Sequence, residues 1–282
     1  MRVWNEAISF AEVWSRTVAA RSSHSFLVFE GPDGSATEWT YQEFNRVVSR
    51  VASALVDRGV EPGSSVHLAL TNSPIFVALW LATIRLGAWI VPSDPMAKQP
   101  ELADHVSRTK PTIGFCSTER AELYRAAADE AMPVVLVDEA DVGFQQFPLI
   151  EFGDWPQIEL TDRAAVMFTS GTTGKPKGVE VTQANYAFAG NTMASACELE
   201  PSDRQLVVLP LFHANAQYYS FASAIWAGAS VALMHTFSAS GFLAQAERHQ
   251  ATCASLFAAP IRMILARGAK VEGVALRHCW FA

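Results

Sequence analysis

The sequence contains few charged residues and no run of basic ones. Asp, Glu, Lys and Arg make up 17% of its 282 residues, and the formal net charge is −7. Binding to the polyanionic backbone of a nucleic acid requires a basic surface, so the composition argues against that class of partner. Half of the residues are hydrophobic. That proportion favours a large buried core, and the length predicts about two domains or subdomains.

Closely spaced cysteines are also absent, although they are typical of metal sites and disulfide-rich domains. The cysteines are Cys116, Cys197, Cys253 and Cys279. We expect buried, reduced thiols of a cytoplasmic protein. The N-terminal residues include Glu6 and Glu12 and lack the apolar run of a signal peptide.

No apolar run reaches the roughly 20 residues that a membrane-spanning helix requires. The run that begins at Ile75 ends at Arg85. The stretch between Arg204 and Glu247 contains no Asp, Glu, Lys or Arg, but Pro210 and several polar residues interrupt it. Because such residues are costly in lipid, this stretch is expected to form a pocket wall and not a membrane span.

Segments typical of strands and helices alternate along the chain. A strand is predicted at 26–30, and a capping box of Thr40 and Glu43 opens an amphipathic helix. Ser73 and Pro74 open a second helix. Further strands are predicted near 65–70, 88–92, 112–116, 133–137, 164–168, 178–181 and 274–281, and strand–helix pairs near 205–227, 230–249 and 253–267. The alternation predicts the α/β class, with mostly parallel strands covered by helices.

Residues 141–157 are rich in Gly, Phe, Pro and Trp and interrupt this alternation. They are expected to connect two α/β subdomains, residues 1–157 and 158–282. The last predicted strand runs to the end of the sequence without a polar tail. The chain is therefore expected to be part of a longer protein.

The segment from Thr169 to Gly178 carries the strongest functional signal. Its sequence, TSGTTGKPKG, combines three glycines, four hydroxyl side chains and two lysines. Glycines let the backbone approach a ligand and present N–H groups to it, hydroxyls donate hydrogen bonds, and lysines supply positive charge. The combination favours a binding loop for a triphosphate over an ordinary Ser/Thr/Gly surface turn.

Three better-known loops do not fit this segment. In a Walker loop four residues separate the first glycine from Gly-Lys, whereas only two separate Gly171 from Gly174. The glycine spacings also differ from those of the dinucleotide-binding pattern. A serine-hydrolase elbow needs glycine two residues before its serine, and Phe168 stands there relative to Ser170.

The segment Met167–Val179 is similar to the core motif of the adenylate-forming superfamily, which includes acyl-CoA synthetases, luciferases and nonribosomal-peptide adenylation domains. Other segments resemble further motifs of the family in the same order: Trp39–Phe44, Ile84–Pro92, Leu209–His213 and Ala259–Met263. The stretch 163–281 looks closest to crotonobetaine/carnitine–CoA ligases and neighbouring bacterial acyl-CoA ligases. The resemblance implies a layered αβαβα N-terminal domain with two stacked, mostly parallel sheets, ending before the small C-terminal domain of the family.

The resemblance implies that the loop holds the β- and γ-phosphates of ATP and that Thr169 helps to ligate Mg²⁺. The implied nucleotide-binding residues are Thr169, Ser170, Gly171, Thr172, Thr173, Gly174, Lys175 and Lys177. Thr169 and Lys175 are catalytic candidates, because preorganised donors and a metal stabilise charge on phosphate oxygens.

His213 is a third catalytic candidate. A lone histidine in an apolar stretch is more often a satisfied core residue, but the resemblance implies a place in the acyl pocket beside the reacting carboxylate. The implied pocket residues are His213, Ala214, Asn215, Gln217 and Tyr218. Amino-acid-activating members place an aspartate in this motif, where this chain has Phe212, His213 and Ala214. A buried ammonium would then lack a counter-charge, so a mostly apolar acyl group is favoured over an α-amino acid.

The implied function is ATP-dependent activation of a carboxylic acid to an acyl-adenylate, followed by thioester formation with CoA. ATP, Mg²⁺ and CoA are the implied cofactors. Two alternatives stay open: an adenylating enzyme that loads a carrier protein, and a catalytically incomplete nucleotide- or acid-binding fragment. Several catalytic segments of the family have no counterpart within 1–282, so the chain alone is expected to be inactive. The sequence identifies neither the acid nor the oligomeric state. A homodimer is compatible with it.

Overall fold

The computed structural model describes residues 7–128, 132–169, 176–268 and 271–281. The strands are Ser25–Glu30 (β1), Ala36–Thr40 (β2), Ser65–Ala69 (β3), Trp89–Pro92 (β4), Ile113–Ser117 (β5), Val134–Val137 (β6), Arg163–Thr169 (β7), Lys177–Thr182 (β8), Arg204–Val207 (β9), Ser230–Met234 (β10), Cys253–Leu256 (β11) and His278–Phe281 (β12). The α-helices are Phe10–Arg21 (α1), Tyr41–Val56 (α2), Pro74–Arg85 (α3), Gln99–Thr109 (α4), Ala121–Ala127 (α5), Gln183–Ala196 (α6), Ser223–Ala227 (α7), Phe242–Arg248 (α8) and Ala258–Arg267 (α9). A 3₁₀ turn occupies Thr118–Arg120, and a π-helix occupies Asn215–Ala222.

The described chain forms two compact units that are interleaved along the sequence. Unit 1 contains residues 13–44 and 187–281, and unit 2 contains residues 7–12 and 45–186. The boundary expected between residues 157 and 158 therefore falls inside unit 2. The reason is that β7 pairs with β4 of the preceding segment, while β1 pairs with β10 of the following one.

Unit 1 is built on a mostly parallel sheet with the strand order β12-β11-β9-β10-β1-β2. β1 and β2 form its antiparallel hairpin, and β1 pairs in parallel with β10. At the hairpin turn Gly34 has a φ of 81°, a left-handed conformation that glycine adopts without a steric penalty. The capping box then opens α2 as predicted, because the Glu43 carboxylate accepts hydrogen bonds from both the N–H and the hydroxyl of Thr40, each at 2.8 Å.

Unit 2 is built on a second mostly parallel sheet, with the order β6-β5-β3-β4-β7-β8. The antiparallel β7–β8 hairpin forms one edge. α3 is buried on all sides, which explains why its sequence is so apolar. The predicted start of this helix is confirmed: Ser73 is its N-cap, its hydroxyl accepts a hydrogen bond from the N–H of Phe76, and Pro74 is the first helical residue.

The irregular segment 141–157 lies within unit 2 and packs on α2. The Arg50 guanidinium donates hydrogen bonds to the carbonyls of Phe144 (2.9 Å) and Phe147 (3.1 Å). The side chains of both phenylalanines are buried. The segment predicted to connect two subdomains is therefore an integral part of unit 2.

Burial of the cysteines is confirmed for three of the four. Cys116, Cys197 and Cys253 are buried free thiols, but Cys279 is exposed in β12. Its strand lies at the edge of the sheet of unit 1, so alternate side chains face away from the core. Among the described helices, none has both the length and the apolarity needed to cross a bilayer.

Candidate functional site

The loop predicted to bind a triphosphate is carried by the β7–β8 hairpin of unit 2. Thr169 and Lys177 are paired across the end of the hairpin, and both side chains are exposed. The Thr169 hydroxyl lies 3.5 Å from the Lys177 carbonyl oxygen, to which it donates. The remaining predicted nucleotide-binding residues lie outside the described residues: Ser170, Gly171, Thr172, Thr173, Gly174 and Lys175. The structure therefore brings together the two ends of the loop.

Packing explains why this hairpin forms here. Residues Ala164 to Met167 of β7 are buried, whereas β8 is exposed over its first four residues. Gly178 lies close to the partner strand, because a Cβ atom at this position would be 3.1 Å from Cγ1 of Val166. A larger residue at Gly178 would have to displace Val166, so the last glycine of the motif serves the packing of the hairpin.

Two residues of α4 contact the ends of the loop. The guanidinium of Arg108 donates a 2.8 Å hydrogen bond to the carbonyl oxygen of Pro176, and its central carbon lies 4.8 Å from the centre of the Phe168 ring. The imidazole of His105 stacks on the same ring, with 3.8 Å between the ring centres and 10° between the planes. α4 thus contacts the chain immediately before Thr169 and immediately before Lys177.

A buried chain of hydrogen bonds leads to His105 from the interior of unit 2. The Tyr124 hydroxyl lies 2.5 Å from Nδ1 of His67, whose Nε2 lies 2.9 Å from the Ser93 hydroxyl. That hydroxyl lies 2.7 Å from Nδ1 of His105. Burial lowers the pKa of His67 to about 3 and the pKa of His105 to about 4, so both imidazoles are neutral near pH 7. No sequence motif indicates this series of hydrogen bonds, because its members are scattered through β3, α4, α5 and the loop after β4.

His213 lies in unit 1, in the loop between β9 and the π-helix. Its backbone N–H donates to the Pro210 carbonyl oxygen at 3.1 Å, and its ring lies beside that of Phe212, with 4.2 Å between the ring centres. The side chain is exposed. It is therefore not a buried core residue of unit 1.

The other acyl-pocket candidates lie directly before the π-helix or in its first half. Ala214 is partly buried directly before it, and Tyr218 is partly buried within it. Gln217 is fully buried and donates a 2.5 Å hydrogen bond to the Leu211 carbonyl oxygen, which ties the π-helix to the preceding loop. Oδ1 of Asn215 is buried and has no hydrogen-bond partner among the described residues. π-helical turns occur frequently at functional sites, and this one coincides with the predicted pocket residues.

Magnesium is compatible with the described end of the loop. Mg²⁺ in nucleotide sites is usually held by one or two protein oxygens, with substrate phosphates and water completing the shell. The exposed hydroxyl of Thr169 offers one such oxygen. No cluster of three or more His, Cys, Asp or Glu side chains suited to a metal occurs in the described part of the chain.

A cavity of about 350 Å³ lies elsewhere in unit 1. Arg16 and Arg21 of α1, Glu198 and Trp226 contribute to its walls. None of the candidates for nucleotide or acid binding lines it. It therefore gives no support to either assignment.

Comparisons with known proteins match nearly the whole chain. The sequence model of one family, described as AMP-binding enzyme, matches residues 14–282. A crotonobetaine/carnitine–CoA ligase of Escherichia fergusonii is 28% identical over 274 residues, which cover 93% of this chain and 53% of that protein. The chain spans about half the length of the curated relatives that it matches.

Solved structures with similar folds include an inhibitor-bound N-terminal domain of FACL13 from Mycobacterium tuberculosis. It has a TM-score of 0.84 and 22% sequence identity, over 97% of this chain and 69% of that chain. ATP-bound MatB from Rhodopseudomonas palustris has a TM-score of 0.83 and 21% identity, over 97% of this chain and 54% of that chain. These likenesses confirm the predicted mixed α/β fold with two mostly parallel sheets.

Proposed function

Because this chain belongs to the AMP-binding enzyme family, we propose that it serves the ATP-dependent activation of a carboxylic acid and the transfer of the acyl group to CoA. The observation that carries this proposal is the loop at 169–178, with its hydroxyl, glycine and lysine composition, at the exposed end of the β7–β8 hairpin. Relatives named as CoA ligases and the ATP-bound state of MatB support it.

The proposed reaction has two steps. A carboxylate oxygen of the acid attacks the α-phosphorus of ATP, and the bond to the leaving pyrophosphate breaks, which yields an acyl-adenylate. The sulfur of CoA then attacks the acyl carbon, the thiol proton is lost, and AMP leaves with the electron pair of the broken bond. Both steps release a phosphate-containing leaving group.

The loop would act in the first step. Backbone N–H groups and hydroxyls would hold the β- and γ-phosphates, and Lys175 and Lys177 would offset the negative charge that the leaving pyrophosphate acquires. Thr169 would bind the Mg²⁺ that accompanies ATP, and this ion would neutralise further phosphate charge. Preorganised donors are effective because they require little rearrangement during the reaction.

The acid is proposed to lie beside His213 and the π-helix. Residues 205–246 include no Asp, Glu, Lys or Arg, so a charged substituent on the acyl group would lack an ionic partner there. This favours a mostly apolar acyl group. The exposed imidazole of His213 would contact the reacting carboxylate, and Asn215 and Gln217 would contribute polar groups to the same wall.

A panel of carboxylic acids tests the reaction. In the complete enzyme we expect pyrophosphate and AMP to form only when ATP and a suitable acid are both present. Formation of ADP and phosphate would contradict the proposal. We expect little or no pyrophosphate exchange by the 282-residue chain alone, and robust exchange by that chain would contradict this second expectation.

The acyl acceptor can be tested with the same preparation. CoA and a phosphopantetheinyl carrier protein would be offered in parallel, and acylation of CoA is the expected result. Acylation of the carrier alone would favour the other family function, an adenylating enzyme that loads carrier proteins.

His213 has a matched control in His278, which is also an exposed histidine of unit 1. His213→Ala is expected to change the preference among acids or to lower kcat, whereas His278→Ala should leave both unchanged. Identical acid profiles for the two variants would remove His213 from the proposed pocket.

A further inference from the structure

The two ends of the loop are fastened to the same helix. Arg108 of α4 donates to the Pro176 carbonyl oxygen at 2.8 Å, close to the C-terminal end of the loop. Phe168, directly before Thr169, is contacted both by Arg108 and by the stacked ring of His105. α4 therefore contacts the end of β7 and the residue directly before β8, on the two sides of the loop.

Arg108 is suited to this role by its chemistry. Its planar guanidinium offers several hydrogen-bond donors in fixed directions. One Nη1 atom serves both the Pro176 carbonyl and the Asp104 carboxylate, at 2.8 and 3.1 Å. Because Asp104 lies one turn earlier on α4, the ion pair directs the guanidinium towards the hairpin.

The helix that carries Arg108 is itself anchored to the interior. His105 is buried, and its Nδ1 is bonded to Ser93 within the hydrogen-bonded chain that continues to His67 and Tyr124. The stacked contact of His105 with Phe168 therefore links the end of β7 to the core of unit 2.

We propose that Arg108 is a positioning residue for nucleotide binding: by holding Pro176 and Phe168 against α4, it keeps the ends of the 169–178 loop in the arrangement that a triphosphate requires. This inference rests on the proposed function of the loop. A loop whose ends are held before the ligand arrives loses less conformational freedom on binding, and its affinity rises accordingly.

Arg163 offers a matched control at the opposite end of the same hairpin. Its guanidinium forms an ion pair with Glu180 at 2.6 Å and lies 4.7 Å from the centre of the Trp89 ring. The side chains of Arg108 and Arg163 are 39% and 38% exposed, so the two arginines are comparably accessible to water, and their partners Asp104 and Glu180 are 37% and 64% exposed. Exposed ion pairs of this kind contribute little to global stability.

The first measurement is the affinity of the 282-residue chain for MgATP, determined by titration calorimetry. Arg108→Met, which retains an apolar side chain of similar length, is expected to raise Kd about fivefold to tenfold, the effect of losing one charge-assisted hydrogen bond. Arg108→Lys keeps a charged donor and should restore part of the affinity. Arg163→Met should stay within about twofold of the wild type.

The second measurement needs no nucleotide. Trypsin cleaves after Lys177, and cleavage within a strand requires the hairpin end to open locally. Without ATP, cleavage after Lys177, followed by mass spectrometry, should be at least about threefold faster in Arg108→Met than in Arg163→Met. Equal cleavage rates in the two variants would overturn the claim that Arg108 holds the hairpin end.

The two measurements separate the possible failures. A wild-type chain that does not bind MgATP would contradict the proposed function and the nucleotide role of Arg108. The cleavage rates would then still show whether the contact of Arg108 with Pro176 holds the hairpin end. A wild-type chain that binds MgATP, with equal Kd for Arg108→Met and Arg163→Met, would overturn the inference and leave the proposed function intact.

Discussion

The buried chain of Tyr124, His67, Ser93 and His105 makes the free energy of unfolding depend on pH. Burial lowers the pKa of His67 from 6.5 to about 3 and that of His105 from 6.5 to about 4. Between those values and 6.5 the unfolded chain takes up protons at both residues, but the folded protein does not. Acid therefore favours the unfolded state, and stability is lost as the pH falls below 6.5.

The size of the effect follows from the two shifts. Each neutral imidazole reduces the free energy of unfolding by about 1.4 kcal/mol for every pH unit below 6.5, which amounts to about 2 kcal/mol at pH 5. At pH 5 the two histidines together lower the free energy of unfolding by about 4 kcal/mol relative to its value at about pH 7.5.

Carboxylates contribute in a lower pH range. Burial by itself raises the pKa of Glu30 and Asp203, but hydrogen bonds, from His249 to Glu30 and from Arg277 to Asp203 among others, outweigh it. The net pKa values lie below 4.5 and 3.8, so the stability that these groups confer is present above those values and is lost as the pH falls through the folded-state pKa. The range from about pH 5 to 7.5 therefore isolates the histidine effect.

Urea unfolding followed by tryptophan fluorescence measures this difference. His67→Gln removes one titrating group and should reduce the stability difference between pH 5 and 7.5 by about 2 kcal/mol. His24→Gln, at an exposed histidine of unit 1, is the control and should leave the difference unchanged. A His67→Gln variant with the same pH dependence as the wild type would refute the assignment of neutral, buried imidazoles.

Two further predictions concern packing and charge burial in unit 1. A Cβ atom at Gly190 would lie 2.7 Å from the carbonyl oxygen of Ala222, so Gly190→Ala should lower the free energy of unfolding by about 1–3 kcal/mol. Gly153→Ala, where nothing lies within 4 Å, is its control, and equal urea midpoints for the two variants would contradict the close helix contact. The buried Asp203 accepts a 2.6 Å hydrogen bond from Arg277, whose side chain is 41% exposed, and further hydrogen bonds from the N–H of Glu200 and the hydroxyl of Thr252. Because these donors would lose their acceptor while the Arg277 charge stays solvated, Asp203→Ala should lower the free energy of unfolding by about 1–3 kcal/mol. A decrease in the free energy of unfolding of less than about 1 kcal/mol, measured by urea unfolding, would contradict this prediction and show that water replaces these hydrogen bonds without penalty.

Local sequence patterns predicted the α/β class and several element starts. The Thr40–Glu43 capping box and the Ser73 N-cap are found where the hydrogen-bonding capacity of their side chains places them. β2 was not predicted, because Ala36–Thr40 lacks a clear apolar alternation and Trp39 is its one buried residue. The predicted last strand at 274–281 is observed only at His278–Phe281.

The interleaving of the two units could not be derived from local patterns. The pairing of β1 with β10 joins segments about two hundred residues apart, and nothing within either segment specifies its partner. The π-helix was not predicted for a different reason, since no residue pattern in 215–222 distinguishes a π-helix from an α-helix. Motif resemblance identified the loop ends at Thr169 and Lys177, but it gave no sign of their attachment to α4.

Binding of MgATP to the 282-residue chain, compared with its Thr169→Ala/Lys175→Ala variant by titration calorimetry, tests the phosphate-binding loop most directly. We expect one MgATP to bind per wild-type chain, an affinity at least about tenfold lower in the variant, and an unchanged urea midpoint. Equal MgATP affinity for the two proteins would contradict the assignment of residues 169–178 as the phosphate-binding loop.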